Sequence, residues 1–102
     1  MNMTETQLQV KINADLKKKG IKFRHIEKGR YHKQKTHRAG WPDLMILPGY
    51  GQVFFVELKS PGKILTLEQT EFRTWANEMG YHFYVVDTLC HWEVVKRLEG
   101  VK

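Results

Sequence analysis

"GWPDLMIL", residues 40–47, decides how this chain can fold, because it joins a turn to a buried strand. Gly40 and Pro42 are typical of a turn, and residues 44–47 are all apolar. Asp43 stands at the mouth of this apolar run, where a charge without a partner is costly to bury. A second apolar stretch, "VFFVELKSPG" at residues 53–62, ends in a similar way with Glu57 and Lys59. Both stretches raise the same question, namely what these charges hold.

The pattern around the two strands predicts the element order α-β-β-β-α-β-α. Thr4 with Gln7 and Thr66 with Gln69 match the capping box that begins many helices. The predicted elements are a helix from Glu5 to about Lys19, strands at 21–26, 43–47, 52–59 and 81–86, a helix from near Thr66, and a short helix from 87 or 88. The "PGYG" turn at 48–51 predicts antiparallel pairing of the second and third strands. Helical spacing among apolar neighbours predicts that Trp75 and Trp92 are core residues.

Length and composition favour a single domain over residues 1–102. The chain is 41% hydrophobic, which is typical of a globular protein rather than a disordered one. No apolar run reaches about 18 residues, so we expect no membrane association. The single cysteine, Cys90, excludes an internal disulfide and favours a reducing compartment such as the cytoplasm.

Positive charge is concentrated in one part of the chain. The net charge is +6, and residues 17–38 hold ten of the 17 Lys and Arg residues against the single acid Glu27. Histidines and Tyr31 are interleaved with these charges, which favours a nucleic-acid partner over a merely solubilising loop. The candidate DNA-binding residues stand just before the Pro-Asp strand and are Lys28, Arg30, Lys33, Lys35, His37 and Arg38.

The charges at the strand ends can form a metal site. Side chains alternate along a strand, so Glu57 and Lys59 point the same way, about 6.6 Å apart. A short hairpin brings Asp43 to the same sheet edge. Two converging carboxylates suit a hard cation such as Mg²⁺ or Mn²⁺, and a nearby lysine can stabilise developing negative charge. Taken singly, these residues are equally explained by a Glu57–Lys59 salt bridge and by Asp43 capping a turn.

The combination of motifs resembles a known nuclease signature. "PD" at 42–43 with "ELK" at 57–59 is similar to the PD-(D/E)xK pattern, and "GWPDLMIL", "VFFVELKSPG" and "LTLEQTEF" in this order resemble the VRR-NUC family, the virus-type replication-repair nucleases. The resemblance implies a restriction-endonuclease-like α/β fold, in which a central mixed sheet is flanked by helices. It also implies metal ligation by Asp43, Glu57 and the backbone carbonyl of Leu58. The implied catalytic residues are Asp43, Glu57, Lys59, Gln69 and Glu5.

Two of these roles have a simpler explanation in the sequence. Gln69 is also the capping-box partner of Thr66, and Glu5 lies in the first turn of a helix, where the dipole favours an acid. The resulting hypothesis is a metal-dependent, structure-selective DNA endonuclease that acts on branched or structured DNA as a homodimer, similar to a Holliday-junction resolvase. The alternative is a non-catalytic nucleic-acid-binding module that uses the same basic segment.

Overall fold

The computed structural model describes residues 3–26 and 40–102, and its elements follow the predicted order. The helices are α1 (Glu5–Lys18), α2 (Leu67–Glu78) and α3 (Leu89–Leu98), and the strands are β1 (Lys22–His25), β2 (Leu44–Gly49), β3 (Gln52–Leu58) and β4 (His82–Val86). Both predicted capping boxes are present, at Thr4–Gln7 and at Thr66–Gln69. The strands and α1 lie within about two residues of their predicted bounds, and α2 and α3 begin within about two residues of their predicted starts.

The four strands form one mixed sheet in the order β1-β2-β3-β4. Strands β1 and β2 and strands β2 and β3 pair antiparallel, whereas β3 and β4 pair parallel. Tyr50 and Gly51, at φ 55° and 76°, turn the chain between β2 and β3. Two successive residues at positive φ are the signature of a tight hairpin turn of type I′. A parallel pair needs a crossover connection, and α2 supplies it between β3 and β4.

Helices cover both faces of β3, as its apolar sequence predicts. One face carries Phe54, Val56 and Leu58, which belong to a buried cluster with the apolar residues of α1 and α3. The opposite face carries Phe55, whose ring lies 5.3 Å from that of Phe72 on α2, measured between centroids. Glu57 shares this second face with Phe55, because side chains on a strand alternate. The α2 side of the sheet is therefore the side on which the candidate site lies.

The prediction that both tryptophans are core residues is half right. Trp92 is 1% exposed and lies in the buried cluster, whereas Trp75 is 45% exposed. Helical spacing identifies the side of α2 that is apolar, but it does not say whether another element covers that side. Trp75 stacks instead on Tyr81 at the surface, with ring centroids 5.8 Å apart.

Candidate active site

The sheet register brings Asp43 and Glu57 together. Leu44 pairs with Val56 and Met45 with Phe55, so continuing the same register by one residue places Asp43 opposite Glu57. Residues directly opposite each other in an antiparallel pair point to the same face. A hydrogen bond fixes the arrangement, because the backbone N–H of Leu58 donates to Asp43 Oδ2 over 2.7 Å. Asp43 thus bonds across to the strand that carries Glu57, and its carboxylate does more than cap its own turn.

Glu57 is buried, and α2 supplies a donor to its carboxylate. The residue is only 2% exposed, and Gln69 Nε2 donates to Glu57 Oε2 over 3.2 Å. The same Gln69 accepts from the backbone N–H of Thr66 through Oε1 over 2.9 Å. One amide therefore both caps the helix and contacts the acid.

Lys59 follows the end of β3 and is partly exposed. Its backbone N–H donates to the carbonyl of Val86 over 3.1 Å, so the chain is still attached to β4 at this point. The ion pairs found within residues 3–26 and 40–102 do not include one between Lys59 and Glu57. Among those residues, the ammonium group of Lys59 is not committed to a salt bridge at the strand end.

Glu5 reaches the site from α1, but it contacts the backbone beyond the lysine. Glu5 Oε1 accepts from the backbone N–H of Ser60 over 2.9 Å, with the Ser60 hydroxyl at 3.4 Å. This contact holds the chain directly after Lys59. The geometry therefore gives Glu5 a partner next to the lysine, on the chain that continues from β3. Ser60 is a residue that sequence reasoning missed, because only the fold brings it to a helix more than fifty positions away.

The described residues Ile26 and Gly40, which flank the segment of candidate DNA-binding residues in the sequence, both contact neighbours of the site. Lys28, Arg30, Lys33, Lys35, His37 and Arg38 lie outside the described residues. Immediately before that segment, the N–H of Ile26 donates to the carbonyl of Asp43 over 2.8 Å. Immediately after it, Gly40 at φ 84° packs so closely on α2 that a Cβ there would lie 2.4 Å from the carbonyl oxygen of Glu68.

The donor set at this sheet edge suits a hard divalent cation. Asp43 and Glu57 offer carboxylate oxygens, and Leu58, next to Glu57 in the chain, offers a backbone carbonyl. Mg²⁺ is commonly held by one or two carboxylates together with water and substrate phosphate, rather than by an all-protein cage. In the described part of the chain no group of three or more His, Cys, Asp or Glu residues is placed to hold a metal. The donors that are present, two carboxylates and one carbonyl, are of the type that an ion of this kind would share with water and substrate.

Comparison with known proteins was decisive for the fold. No protein-family model matches the chain, and no curated protein matches it. A solved structure of a VRR_NUC domain superimposes on 91% of this chain and 94% of its own length, with a TM-score of 0.73 and 19% sequence identity. The chain has a VRR_NUC-like fold. The predicted fold class and the predicted structural resemblance are therefore confirmed. At 19% identity the match shows the fold alone. Any catalytic chemistry has to be inferred from the side chains of this chain.

Two further cations near the site were not singled out from the sequence. Lys63 and Arg73 line an open groove beside α2. Arg73 stands four residues after Gln69, so helical spacing alone places both on one side of α2. Finding Lys63 required the structure, because it belongs to an irregular loop.

Proposed function

We propose that this protein is a divalent-metal-dependent DNA endonuclease of the PD-(D/E)xK type that hydrolyses phosphodiester bonds. The observation that supports this best is the pairing of Asp43 with the end of β3, which sets two carboxylates on one face beside a lysine. The VRR_NUC-like fold supports the same reading. We further propose that the preferred substrate is branched DNA and that the protein acts on it as a homodimer, because a four-way junction requires two paired cuts.

The side chains divide the work of hydrolysis. Asp43, Glu57 and the carbonyl of Leu58 would hold Mg²⁺ or Mn²⁺. When bound, such an ion polarises a phosphate oxygen and lowers the pKa of a coordinated water. Lys59, on the same side as Glu57, contributes positive charge where the attacked phosphate becomes more negative. Gln69 orients the Glu57 carboxylate, and Glu5 holds the backbone that follows Lys59.

The N-terminus of α2 adds a favourable field. Gln69 lies in the first turn of this helix, so the contact with Glu57 places the carboxylate near the helix start. The N-terminus of a helix carries about half a unit of positive charge, which stabilises nearby anions. The same field favours a phosphate that approaches the acids.

DNA binding would depend on the basic segment. Phosphate contacts position a protein on DNA without reading its sequence, so we propose that the residues between 28 and 38 grip the backbone on either side of the cut. Selectivity then follows from DNA shape and not from base identity.

No helix in the described ranges is long and apolar enough to cross a membrane.

A substrate panel tests the proposal. Four-way junction, flap, splayed-arm and linear duplex DNA are each incubated with the protein and Mg²⁺, Mn²⁺ or a chelator. We expect cleavage of branched DNA with either metal, none with chelator, none by Asp43→Asn, and cleavage slower by about 10²–10³-fold by Lys59→Gln. Glu78→Gln, an exposed acid at the other end of α2, should cleave like the wild type. DNA binding without cleavage under every metal condition would support the non-catalytic binding module instead.

Assembly is tested separately by sedimentation velocity, with and without junction DNA. A two-subunit complex on the junction supports paired cutting. A monomer under both conditions would refute paired cutting and leave single-strand cleavage as the activity.

A further inference from the structure

An open groove of about 470 Å³ lies on the α2 side of β4. Its lining residues come from α2, β4 and the loop that precedes α2, and they are Lys63, Ile64, Leu65, Thr70, Arg73 and Val85. Val85 is the register partner of Glu57 in the parallel β3–β4 pair. Neighbouring strands are about 4.8 Å apart, so the groove begins one strand away from the carboxylate of the candidate site. It lies on the side of Glu57 opposite to Asp43, because β3 is flanked by β2 and β4.

The groove is positively charged. Lys63 and Arg73 are both exposed, and neither takes part in an ion pair within residues 3–26 and 40–102. The hydroxyl of Thr70 already donates to the carbonyl of Thr66 over 2.9 Å, so the donors left to a ligand are the two cations. Two like charges on one groove repel each other, and a bound anion would relieve that repulsion.

Lys63 is held in place by a chain of contacts that starts at Glu5. The Lys63 N–H donates to the Ser60 carbonyl over 3.1 Å, which closes a turn with Gly62 at φ 85°. Pro61 followed by a residue of positive φ is typical of a type II turn. Glu5 in turn accepts from Ser60 N–H. The loop that presents the lysine is therefore fixed to the same contact that holds the chain after Lys59.

We infer that this groove binds a backbone phosphate of the DNA strand, one or two nucleotides away from the phosphate that is cut. The inference rests on the proposed function for its choice of substrate. A strand advances about 3.4 Å per nucleotide, so a groove that begins about 4.8 Å from Glu57 lies between one and two nucleotide steps away. The other lining residues Ile64, Leu65 and Val85 are apolar and offer no side-chain groups to read base edges. The groove is thus a positioning subsite that accepts any sequence.

The salt dependence of DNA binding tests this subsite without requiring cleavage. The double variant Lys63→Gln/Arg73→Gln is compared with Lys11→Gln/Arg97→Gln, which removes the same two types of charge from exposed positions on α1 and α3. Affinity for a four-way junction and a linear duplex is measured in chelator over a range of salt concentrations. Each lost phosphate contact lowers the slope of log affinity against log salt by about 0.9. Because the groove holds one phosphate, we expect the groove variant to lose about 0.9 from the slope and the control to lose almost nothing.

A charge-preserving exchange completes the design. Lys63→Arg/Arg73→Lys should recover most of the slope, because both positions remain cationic. Equal slopes for the groove variant and the control, or an unchanged slope in both, would overturn the subsite. If the groove variant shows the expected loss of slope but the wild type cuts no DNA, the proposed nuclease activity is refuted and the phosphate subsite is still supported. A wild type that does not bind DNA would overturn both.

Discussion

The side-chain amide of Gln69 donates to the buried carboxylate of Glu57 over 3.2 Å, and the carbonyl oxygen of the same side chain accepts from Thr66 N–H over 2.9 Å. Gln69 therefore caps the start of α2 and also contacts an acid of the candidate site. The helix cannot shift along the sheet without breaking the contact to Glu57. This link explains how an ordinary capping motif becomes part of a functional site.

Substitution of Gln69 separates these two roles. Gln69→Glu keeps a residue type that suits the third position of a capping box, but it removes the donor and sets a second carboxylate against Glu57. Gln69→Ala removes both contacts, and the lost cap alone costs about 1 kcal/mol. We expect both variants to lose at least 10-fold in cleavage rate, because neither has the amide that donates to Glu57.

Gln7 offers a matched control, because it forms the corresponding capping box at the start of α1, with Thr4 N–H donating to Gln7 Oε1 over 3.0 Å. Gln7→Ala should lower the free energy of unfolding by about 1 kcal/mol in urea titrations and leave the cleavage rate unchanged. A similar loss of cleavage in the Gln7 and Gln69 variants would show that Gln69 acts only through the stability of its helix.

Among the described glycines, Gly40 is the one at which an added Cβ would meet another part of the chain. A Cβ on Gly40 would lie 2.4 Å from the Glu68 carbonyl oxygen, in addition to the strain of φ 84°. Gly80 has a similar φ of 85°, but a Cβ added there would have no neighbouring atom within 4 Å. Gly80→Ala should therefore cost only the conformational strain, about 1–2 kcal/mol, whereas Gly40→Ala should cost clearly more and lower the cleavage rate. Urea unfolding of both variants checks this, and equal losses of stability would contradict the close packing on α2.

The elements of this protein could be predicted from the sequence because local signals specify them. Thr4 and Thr66 identify helix starts, and the continuous apolar run of residues 53–56 identifies a strand covered on both faces. The convergence of Asp43 with Glu57 followed from a short hairpin alone. Contacts between distant parts of the chain could not be predicted in this way.

The contact of Glu5 with Ser60 illustrates that limit. No local pattern places a helix start against a loop that lies beyond three strands, because that depends on how α1 packs across the sheet. The exposure of Trp75 has the same origin, since it depends on what covers α2. Lys63 likewise becomes a candidate only when its loop is seen beside Val85.

Substitution of Lys59 should lower the rate of DNA cleavage more than it lowers the affinity for Mn²⁺. Lys59→Gln keeps a side chain of similar length and removes the charge near the attacked phosphate. Loss of one preorganised electrostatic contact of this kind typically lowers a turnover rate by about 10²–10³. Single-turnover cleavage measures the effect, and Mn²⁺ affinity should change little. A large loss of Mn²⁺ affinity in Lys59→Gln would contradict this role.

A buried acid away from the candidate site should govern stability in acid. The Glu99 side chain is 1% exposed, and its carboxylate accepts from Tyr84, Gln52 and the ring of His82, the last at 2.6 Å. Burial alone would raise the pKa of Glu99, but these hydrogen bonds outweigh it and hold the pKa below its ordinary value. A depressed pKa contributes stability that is full above the pKa of the unfolded chain and is lost as pH falls through the folded value.

Unfolding in urea between pH 7 and pH 3 tests this linkage. The wild type should lose stability as the pH drops below about 4.3, the usual pKa of glutamate. Glu99→Gln should be less stable at pH 7 and should show a smaller decline in acid, whereas Glu78→Gln should follow the wild type. Parallel curves for the wild type and Glu99→Gln would show that Glu99 does not contribute to the acid dependence.

Direct titration with Mn²⁺ tests the central claim, that Asp43 and Glu57 together hold one divalent ion. Calorimetry or electron paramagnetic resonance on the folded protein without DNA measures the affinity and the number of ions. Asp43→Asn keeps an acceptor for the Leu58 N–H, so the fold should survive, and the same holds for Glu57→Gln with its amide beside Gln69. We predict that the wild type binds Mn²⁺ and that each variant binds at least 10-fold more weakly. Equal Mn²⁺ affinity in the wild type and both variants would contradict the account.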